Sequence, residues 1–271
     1  MKKPLFSQMN LPILVTSLSD TTTEKTICTM RNAIYDGTDA FMIHLEKMDD
    51  KYLNPEDLGR IFEFACDKPV YTMNYRKKKS KTDEQLIAEQ IMAVEAGASM
   101  IDMMGDMFDP SPMELTFNPE AVKKQQEVIE KVHALGGEVL ISSHTWVYMT
   151  CDELLAHTKE LEKRGADFIK IAMTVNSEEE AIEAMKSTVI VKKQLKVPFL
   201  HICMGQYGKL HRAIGPFLGS CFALCVQEYT EAGHKEKPLL RAEKAVFDNI
   251  DYKPSRSVYA NEKSEDNSVQ D

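Results

Sequence analysis

The chain has 271 residues, of which 43% are hydrophobic and 28% charged, and its formal net charge is −9. This composition predicts a soluble protein with a substantial core. The acidic balance argues against nucleic acid as the main partner, and the one basic run, residues 76–81, is typical of a solvated loop. No apolar run approaches the roughly 20 residues that span a bilayer, and the amino terminus leads into no signal-peptide core. We therefore expect a cytoplasmic protein without a membrane partner.

The cysteines show no CxxC pair and no clustering with histidine. We interpret them as reduced core residues and predict neither a disulfide framework nor a zinc site. No metal and no cofactor are predicted. The six are Cys28, Cys66, Cys151, Cys203, Cys221 and Cys225.

Apolar, β-rich segments alternate about eight times with amphipathic segments, at a repeat of roughly 30 residues. This alternation predicts an α/β fold, a (β/α)8 TIM barrel, as a single domain over residues 1–250. A doubly wound open sheet is the competitor, but no glycine-rich fingerprint follows the first strand. Residues 251–271 are polar and aperiodic, which predicts a disordered carboxyl-terminal tail. Predicted strands are 11–18, 40–45, 70–75, 99–104, 138–143, 167–173, 198–204 and 219–226, and predicted helices are 23–35, 55–66, 83–96, 119–135, 151–164 and 177–188.

Lys170 lies inside an otherwise apolar predicted strand. A strand that is apolar on both faces is typical of the centre of a parallel sheet, where an ammonium group would carry a large desolvation cost. A lysine in this place tends to lose its proton and become a nucleophile. Taken alone, the pattern favours a strand-end lysine whose ammonium reaches water. The neighbouring strand ends decide between the two interpretations.

The carboxyl ends of barrel strands carry the chemistry of this fold. His144 ends the fifth predicted strand, Lys170 lies in the sixth, and Arg212 follows the seventh. A lysine beside a histidine can form an imine with a ketone and move the protons that the reaction requires, and an arginine can hold a carboxylate. Individually, His144 is more typical of a hydrogen-bonded structural histidine and Arg212 of a surface ion pair. The combination favours catalysis.

Three segments resemble the type I 3-dehydroquinate dehydratases in sequence, order and spacing. The resemblance covers roughly residues 10–248, and it is specific from the fifth strand onward and loose before it. The segments are Ile141-Ser142-Ser143-His144, Gly165-Ala166-Asp167-Phe168-Ile169-Lys170-Ile171-Ala172, and Met204-Gly205 followed by Gly208-Lys209-Leu210-His211-Arg212 and Gly219-Ser220.

The resemblance implies a (β/α)8 barrel, often a homodimer, that needs no metal. It implies a lyase of the shikimate pathway of aromatic amino acid biosynthesis, which removes water from 3-dehydroquinate through a lysine imine. Lys170 would form the imine, and His144 would act as acid and base. Arg212 would bind the substrate carboxylate and Met204 would pack against the ring. The substrate-binding residues would together be Arg212, Met204, Arg76 and Ser17.

The chain also departs from the family pattern. The Glu-x-Arg that usually ends the second strand is replaced by Met42 and His44. Arg76 matches the third-strand arginine only after a one-residue shift. Lysines and a serine replace the glycine pair and the glutamate that follow this arginine in the family, and that glutamate normally orients the catalytic histidine. The fourth-strand Asp-x-Glu keeps only its aspartate, Asp102. The lid at residues 230–235 lacks the usual serine and glutamine.

These departures keep three functions open. The first is a Schiff-base dehydratase acting on 3-dehydroquinate or a related keto acid. The second is a class I aldolase-like lyase that uses the same imine on a different keto substrate. The third is a non-catalytic barrel that binds a small ligand. Tyr71, Asn74, His44 and His234 are polar residues that could rebuild the pocket.

Overall fold

The computed structural model describes residues 4–76, 81–230 and 235–250. Within these residues, eight strands alternate with eight α-helices; all eight strands and six of the helices correspond to elements that the sequence predicted. The strands are β1 Ile13–Leu18, β2 Ala40–His44, β3 Val70–Met73, β4 Met100–Met104, β5 Glu138–His144, β6 Phe168–Thr174, β7 Phe199–Met204 and β8 Phe222–Cys225. The helices are α1 Thr23–Tyr35, α2 Pro55–Phe64, α3 Asp83–Ala96, α4 Pro119–Ala134, α5 Cys151–Glu162, α6 Glu178–Lys192, α7 Gly208–Leu218 and α8 Leu240–Asn249.

The strands form one parallel sheet in the order β7-β6-β5-β4-β3-β2-β1-β8. The first strand therefore pairs with both the second and the last, as closure into a barrel requires. At the remaining seam, the backbone N–H of Cys221 donates to the carbonyl oxygen of Phe199 over 2.9 Å. The predicted (β/α)8 barrel is confirmed, and the open doubly wound sheet is excluded.

Side-chain caps set the starts of several helices. The Asn54 side chain caps α2 by accepting a hydrogen bond from the backbone N–H of Asp57, and Pro55 is the first residue of the helix. The sequence predicted both features. Thr82 and Gln85 form a reciprocal capping box at the start of α3. Helices α7 and α8 were not among the predicted helices. Residues with low helix propensity occur at both ends of α7, which obscures its pattern.

The amino-terminal segment closes the bottom of the barrel. Phe6 is fully buried, and its ring lies 5.8 Å from that of Tyr71 and 5.3 Å from that of Phe222. The backbone N–H groups of Phe6 and Ser7 donate to the Glu138 carboxylate at the start of β5. With this end filled, the polar interior lies towards the carboxyl ends of the strands.

One sequence prediction is partly wrong, and others concern residues that the structure does not describe. Cys203, Cys221 and Cys225 are buried as expected, but Cys28 and Cys66 are exposed, because they lie on outward-facing positions of α1 and of the turn after α2. The predicted tail, residues 77–80 of the basic run and lid residues 231–234 lie outside the described residues. Among the described helices, none combines the length and apolar character needed to cross a bilayer.

Candidate active site

Lys170 lies in the barrel interior and not at a solvent-exposed strand end. Its Nζ is 2.8 Å from Oδ2 of Asp102 on β4, and the two side chains are only 3% and 1% exposed. Alternation along β6 turns Lys170 to the same side as Phe168 and Ala172, which belong to the interior cluster. Met73 Sδ lies 3.9 Å from the same nitrogen. The ion pair offsets the desolvation of both charges and places an acceptor for the lysine proton beside the amine.

His144 ends β5 and is held by Glu114, a residue of the loop between β4 and α4. The carboxylate Oε2 lies 2.8 Å from Nδ1 of His144 and also accepts its backbone N–H over 2.9 Å. The Tyr75 hydroxyl donates to the other carboxylate oxygen. Burial alone would raise the pKa of Glu114, but hydrogen bonds from His144 and Tyr75 lower it overall. This arrangement fixes the imidazole through Nδ1 and leaves Nε2 for proton transfer.

The histidine-orienting carboxylate is therefore present, although it comes from a different loop than the sequence comparison suggested. The family position after the third strand is occupied by residues 77–80, which lie outside the described residues. Glu114 adopts a positive φ of 46°, which turns its side chain back under His144. No local motif marks this role, because only the loop conformation brings residues 30 positions apart together.

A hydrogen-bonded series of polar side chains lines the opposite wall, and it includes Ser17, the penultimate residue of β1. Ser17 Oγ lies 3.2 Å from Nε2 of His44, and Nδ1 of His44 lies 2.8 Å from Glu46 Oε1. Lys237, in the segment before α8, donates to Ser17 Oγ over 2.8 Å. Burial lowers the pKa of His44 despite its contact with Glu46. Of these residues, only His44 stands at a position of the Glu-x-Arg pair in the family resemblance; the other position is Met42.

Lys237 adds a second amine to the pocket. Burial, together with the positive charges of Arg212 and Lys170, lowers the pKa of Lys237 to about 7. A large fraction of this amine is therefore neutral at physiological pH. Nothing in the local sequence distinguishes Lys237 from a surface lysine.

Arg212 comes from the second turn of α7 and is directed by the end of β7. Its Nε donates to the carbonyl oxygen of Cys203 over 2.9 Å, which leaves the terminal nitrogens of the guanidinium outside that bond. Met204, the last residue of β7, packs against the interior cluster. Both residues thus lie where the sequence placed them, at the carboxyl end of β7.

Arg76 is engaged by two carboxylates. Its Nε lies 2.8 Å from Asp83 Oδ1, and its Nη1 lies 3.1 Å from Asp106 Oδ1. These pairs tie β3 to the start of α3 and to the loop after β4. Its predicted role in substrate binding would require the guanidinium to exchange or share these partners, so the geometry favours a structural role.

Of the other polar residues that the sequence suggested for the pocket, only some are near it. His44 lines the pocket, whereas the Tyr71 ring packs on Phe6 at the closed end of the barrel. The Asn74 amide donates to Glu89, on the helix side of β3. His234 lies outside the described residues. Ser142, which is paired with Lys170 in the β5–β6 register, has a buried hydroxyl without a hydrogen-bond partner among the described groups.

The fold and the site define a class: TIM barrels with a lysine buried at the carboxyl ends of the strands and a histidine on the preceding strand. Comparison with known proteins agrees. The family model described as type I 3-dehydroquinase matches residues 15–234. The chain belongs to the type I 3-dehydroquinase family.

Individual relatives match over shorter stretches. The 3-dehydroquinate dehydratase of Alkaliphilus oremlandii is 32% identical over 109 residues, which are 40% of this chain and 43% of that protein. The enzyme of Klebsiella pneumoniae subsp. pneumoniae is 26% identical over 148 residues, 54% of this chain and 56% of that protein. The chain thus spans about half the length of the curated relatives it matches, or less. The crystal structure of the Geobacillus kaustophilus 3-dehydroquinate dehydratase superposes with a TM-score of 0.75 at 13% identity, covering 89% of this chain and 95% of that one, and supports the fold.

The depressed pKa of Lys237 predicts a pH-dependent stability. Because the folded-state value of about 7 lies below the roughly 10.4 of a free lysine, the unfolded state binds more protons between these two pH values. The free energy of unfolding of the natural protein, relative to Lys237→Met, should therefore rise by about 1–3 kcal/mol from pH 7 to pH 10. Urea unfolding measures the difference. Lys209→Met, on the exposed side of α7, controls for the loss of a lysine, and a pH-independent difference would contradict the prediction.

Proposed function

We propose that the protein is a carbon–oxygen lyase that removes water from 3-dehydroquinate or a closely related keto acid through an imine on Lys170. The observation that carries the proposal is the buried Lys170 amine, 2.8 Å from Asp102, within the barrel of a type I 3-dehydroquinase family member. Family membership supports the reaction class, and the departures around the pocket bear on the substrate.

Imine formation begins at the Lys170–Asp102 pair. Transfer of the ammonium proton to Asp102 gives a neutral amine, which attacks the substrate ketone and forms a carbinolamine. Asp102 then returns this proton to the carbinolamine hydroxyl group, which leaves as water, and the resulting Asp102 carboxylate stabilises the positive charge of the iminium ion. Ser142 on β5 is the register partner of Lys170 on β6, and its hydroxyl can donate to the carbinolamine oxygen.

Elimination then requires a base and an acid near the carbon next to the iminium. His144 Nε2 takes the α-proton, the electrons move into the iminium as an enamine, and the protonated imidazole returns that proton to the departing β-hydroxyl group. Glu114 holds the imidazole and stabilises its positive charge during the step. Hydrolysis of the product imine consumes one water and releases the conjugated ketone, so the cycle yields one net water.

Arg212 supplies the anchor for the substrate carboxylate. Its bond to Cys203 fixes the guanidinium, and the apolar side chain of Met204 lies at the end of the same strand. On the opposite wall, Lys237 and Ser17 would meet the substrate hydroxyl groups that a Glu-x-Arg pair meets elsewhere in the family. The Lys237 amine can donate hydrogen bonds here in either protonation state, which favours a substrate with an additional strongly hydrogen-bond-accepting group.

The same iminium could serve an aldolase if a base deprotonated the β-hydroxyl group. The His144–Glu114 pair lies on β5, beside the strand that carries Lys170, and this position supports removal of the proton α to the iminium. Product analysis by NMR distinguishes dehydration from retro-aldol cleavage. For a non-catalytic barrel, ligand binding would occur without turnover and would survive Lys170→Met.

We also propose that the protein acts in the cytoplasm as a homodimer, in keeping with the family resemblance. Sedimentation equilibrium tests the dimer.

Turnover should depend on Lys170. The natural protein should convert 3-dehydroquinate at neutral pH, followed by the ultraviolet absorbance of the conjugated product. Lys170→Ala and Lys170→Arg should both lose at least about 10³-fold in kcat, because neither side chain forms an imine under these conditions. Lys209→Met is the matched control and should retain activity. Turnover by Lys170→Ala at the natural rate would refute the imine mechanism.

Replacing Glu114 should affect proton transfer and leave imine formation intact. Glu114→Gln removes the carboxylate beside His144, so kcat should fall by about 10²-fold with a small change in KM. Borohydride should still trap the substrate on Lys170 in this variant. Glu120→Gln, an exposed position in the first turn of α4, is the control. An unchanged kcat would show that Glu114 does not position the base.

A further inference from the structure

A second cluster of chemically active side chains lies outside the barrel interior. His201, Cys203 and His211 are buried, and one ligand atom from each lies within 4.8 Å of the others. The proposed dehydration reaction uses none of these three side chains. The linear sequence gave no indication of a metal site, because His211 joins the other two only through the packing of α7 on β7.

Successive side chains of β7 point to opposite faces of the sheet, and this separates the cluster from the substrate pocket. Leu200 and Ile202 belong to the interior cluster, whereas His201 and Cys203 point to the opposite face, towards the helices. His211 reaches the same space from the first turns of α7. The helix can approach closely because a Cβ at Gly208 would lie 2.5 Å from the Cys203 carbonyl oxygen.

Thr188 on α6 determines which histidine nitrogens are available. Its hydroxyl donates to the carbonyl oxygen of Ala184 over 2.8 Å. It therefore accepts from Nδ1 of His201 at 2.8 Å and from Nε2 of His211 at 2.9 Å. This pattern leaves lone pairs on Nε2 of His201 and Nδ1 of His211, and both atoms are buried without a hydrogen-bond partner in the part of the chain that the structure describes.

Two buried imidazole nitrogens without a hydrogen-bond partner among the described residues are unusual for packed core histidines, since buried acceptors are normally paired. Imidazole nitrogens together with a cysteine sulfur suit borderline and soft cations, zinc foremost. Thr188 supplies the outer hydrogen bonds that orient metal-bound histidines.

We propose that His201, Cys203 and His211 form a binding site for one zinc-class divalent cation between β7, α6 and α7. Binding breaks the S–H bond of Cys203, forms the sulfur–metal bond and releases one proton to solvent. In a tetrahedral zinc site two ligand atoms lie roughly 3.3–3.6 Å apart, so ligand atoms that are now within 4.8 Å of one another must approach by roughly 1 Å when the ion binds. A water molecule completes the fourth position.

The position suggests a structural role. The Cys203 carbonyl oxygen accepts the Arg212 side chain, and Met204 is the next residue. A cation held by β7 and α7 would therefore fix the relative position of the strand and helix that supply the proposed carboxylate anchor. The binding itself does not depend on the proposed dehydratase activity.

The test uses the full chain, stripped with a chelator and then titrated with Zn²⁺ and, separately, Co²⁺. The natural protein should bind one ion per chain with a raised Tm, and the cobalt form should show tetrahedral d–d bands and a thiolate-to-metal charge-transfer band. Cys203→Ser and His211→Ala should each weaken binding at least about 10²-fold and abolish or alter that spectrum. Thr188→Val should weaken binding about 10-fold or more by releasing the histidine tautomers.

Cys225→Ser, at another buried cysteine, and a Cys28→Ser/Cys66→Ser double variant, at the exposed ones, should leave binding and spectrum unchanged. Circular dichroism checks that each variant is folded. The absence of stoichiometric binding by the natural protein, or a charge-transfer band that survives Cys203→Ser, would overturn the proposal without reference to dehydratase activity.

Discussion

The ion pair between Lys170 and Asp102 is the constraint on which the interior of this barrel depends. Two charges with side chains only 3% and 1% exposed are stable in this environment because each compensates the other, and removal of one partner would leave an uncompensated charge. Strands β4 and β6 hold the two residues on either side of β5. The same strand order brings His144, at the end of β5, next to Lys170 on β6. The barrel interior therefore contains an amine, a carboxylate that can accept its proton, and an imidazole that can carry a second proton.

The wall opposite Lys170 shows how the chain differs from the pattern of its family. Met42 and His44 stand at the positions of the family's glutamate and arginine, and His44 is hydrogen-bonded to both Ser17 and Glu46. Lys237 donates to Ser17 in the same network. Such a connected network rigidifies the wall and leaves few of its polar groups unpaired. The proposed chemistry at Lys170 and the proposed substrate recognition at this wall involve different strands, so the recognition residues can change while the lysine is retained.

The order and type of the early elements followed from the sequence, because the strands are continuous apolar runs and many helices carry explicit caps such as Thr82 with Gln85. Lys170, His144 and Arg212 were identifiable because strand ends converge in this fold. Glu114 was not, since a loop conformation and not a sequence spacing delivers it to His144. Lys237 was missed for a similar reason: its altered pKa comes from burial beside other cations, which linear sequence does not display. Helix α7 was obscured by glycine residues that serve its close approach to β7.

The most direct test of the central claim is chemical trapping of the imine. The natural protein is incubated with 3-dehydroquinate, reduced with borohydride and digested, and the modified peptide is sequenced by mass spectrometry. A mass increase equal to the reduced adduct, on Lys170 and absent from Lys170→Ala, is the predicted result. Adduct formation on Lys237 in place of Lys170, or no adduct during measurable turnover, would contradict the assignment of Lys170 as the reacting amine.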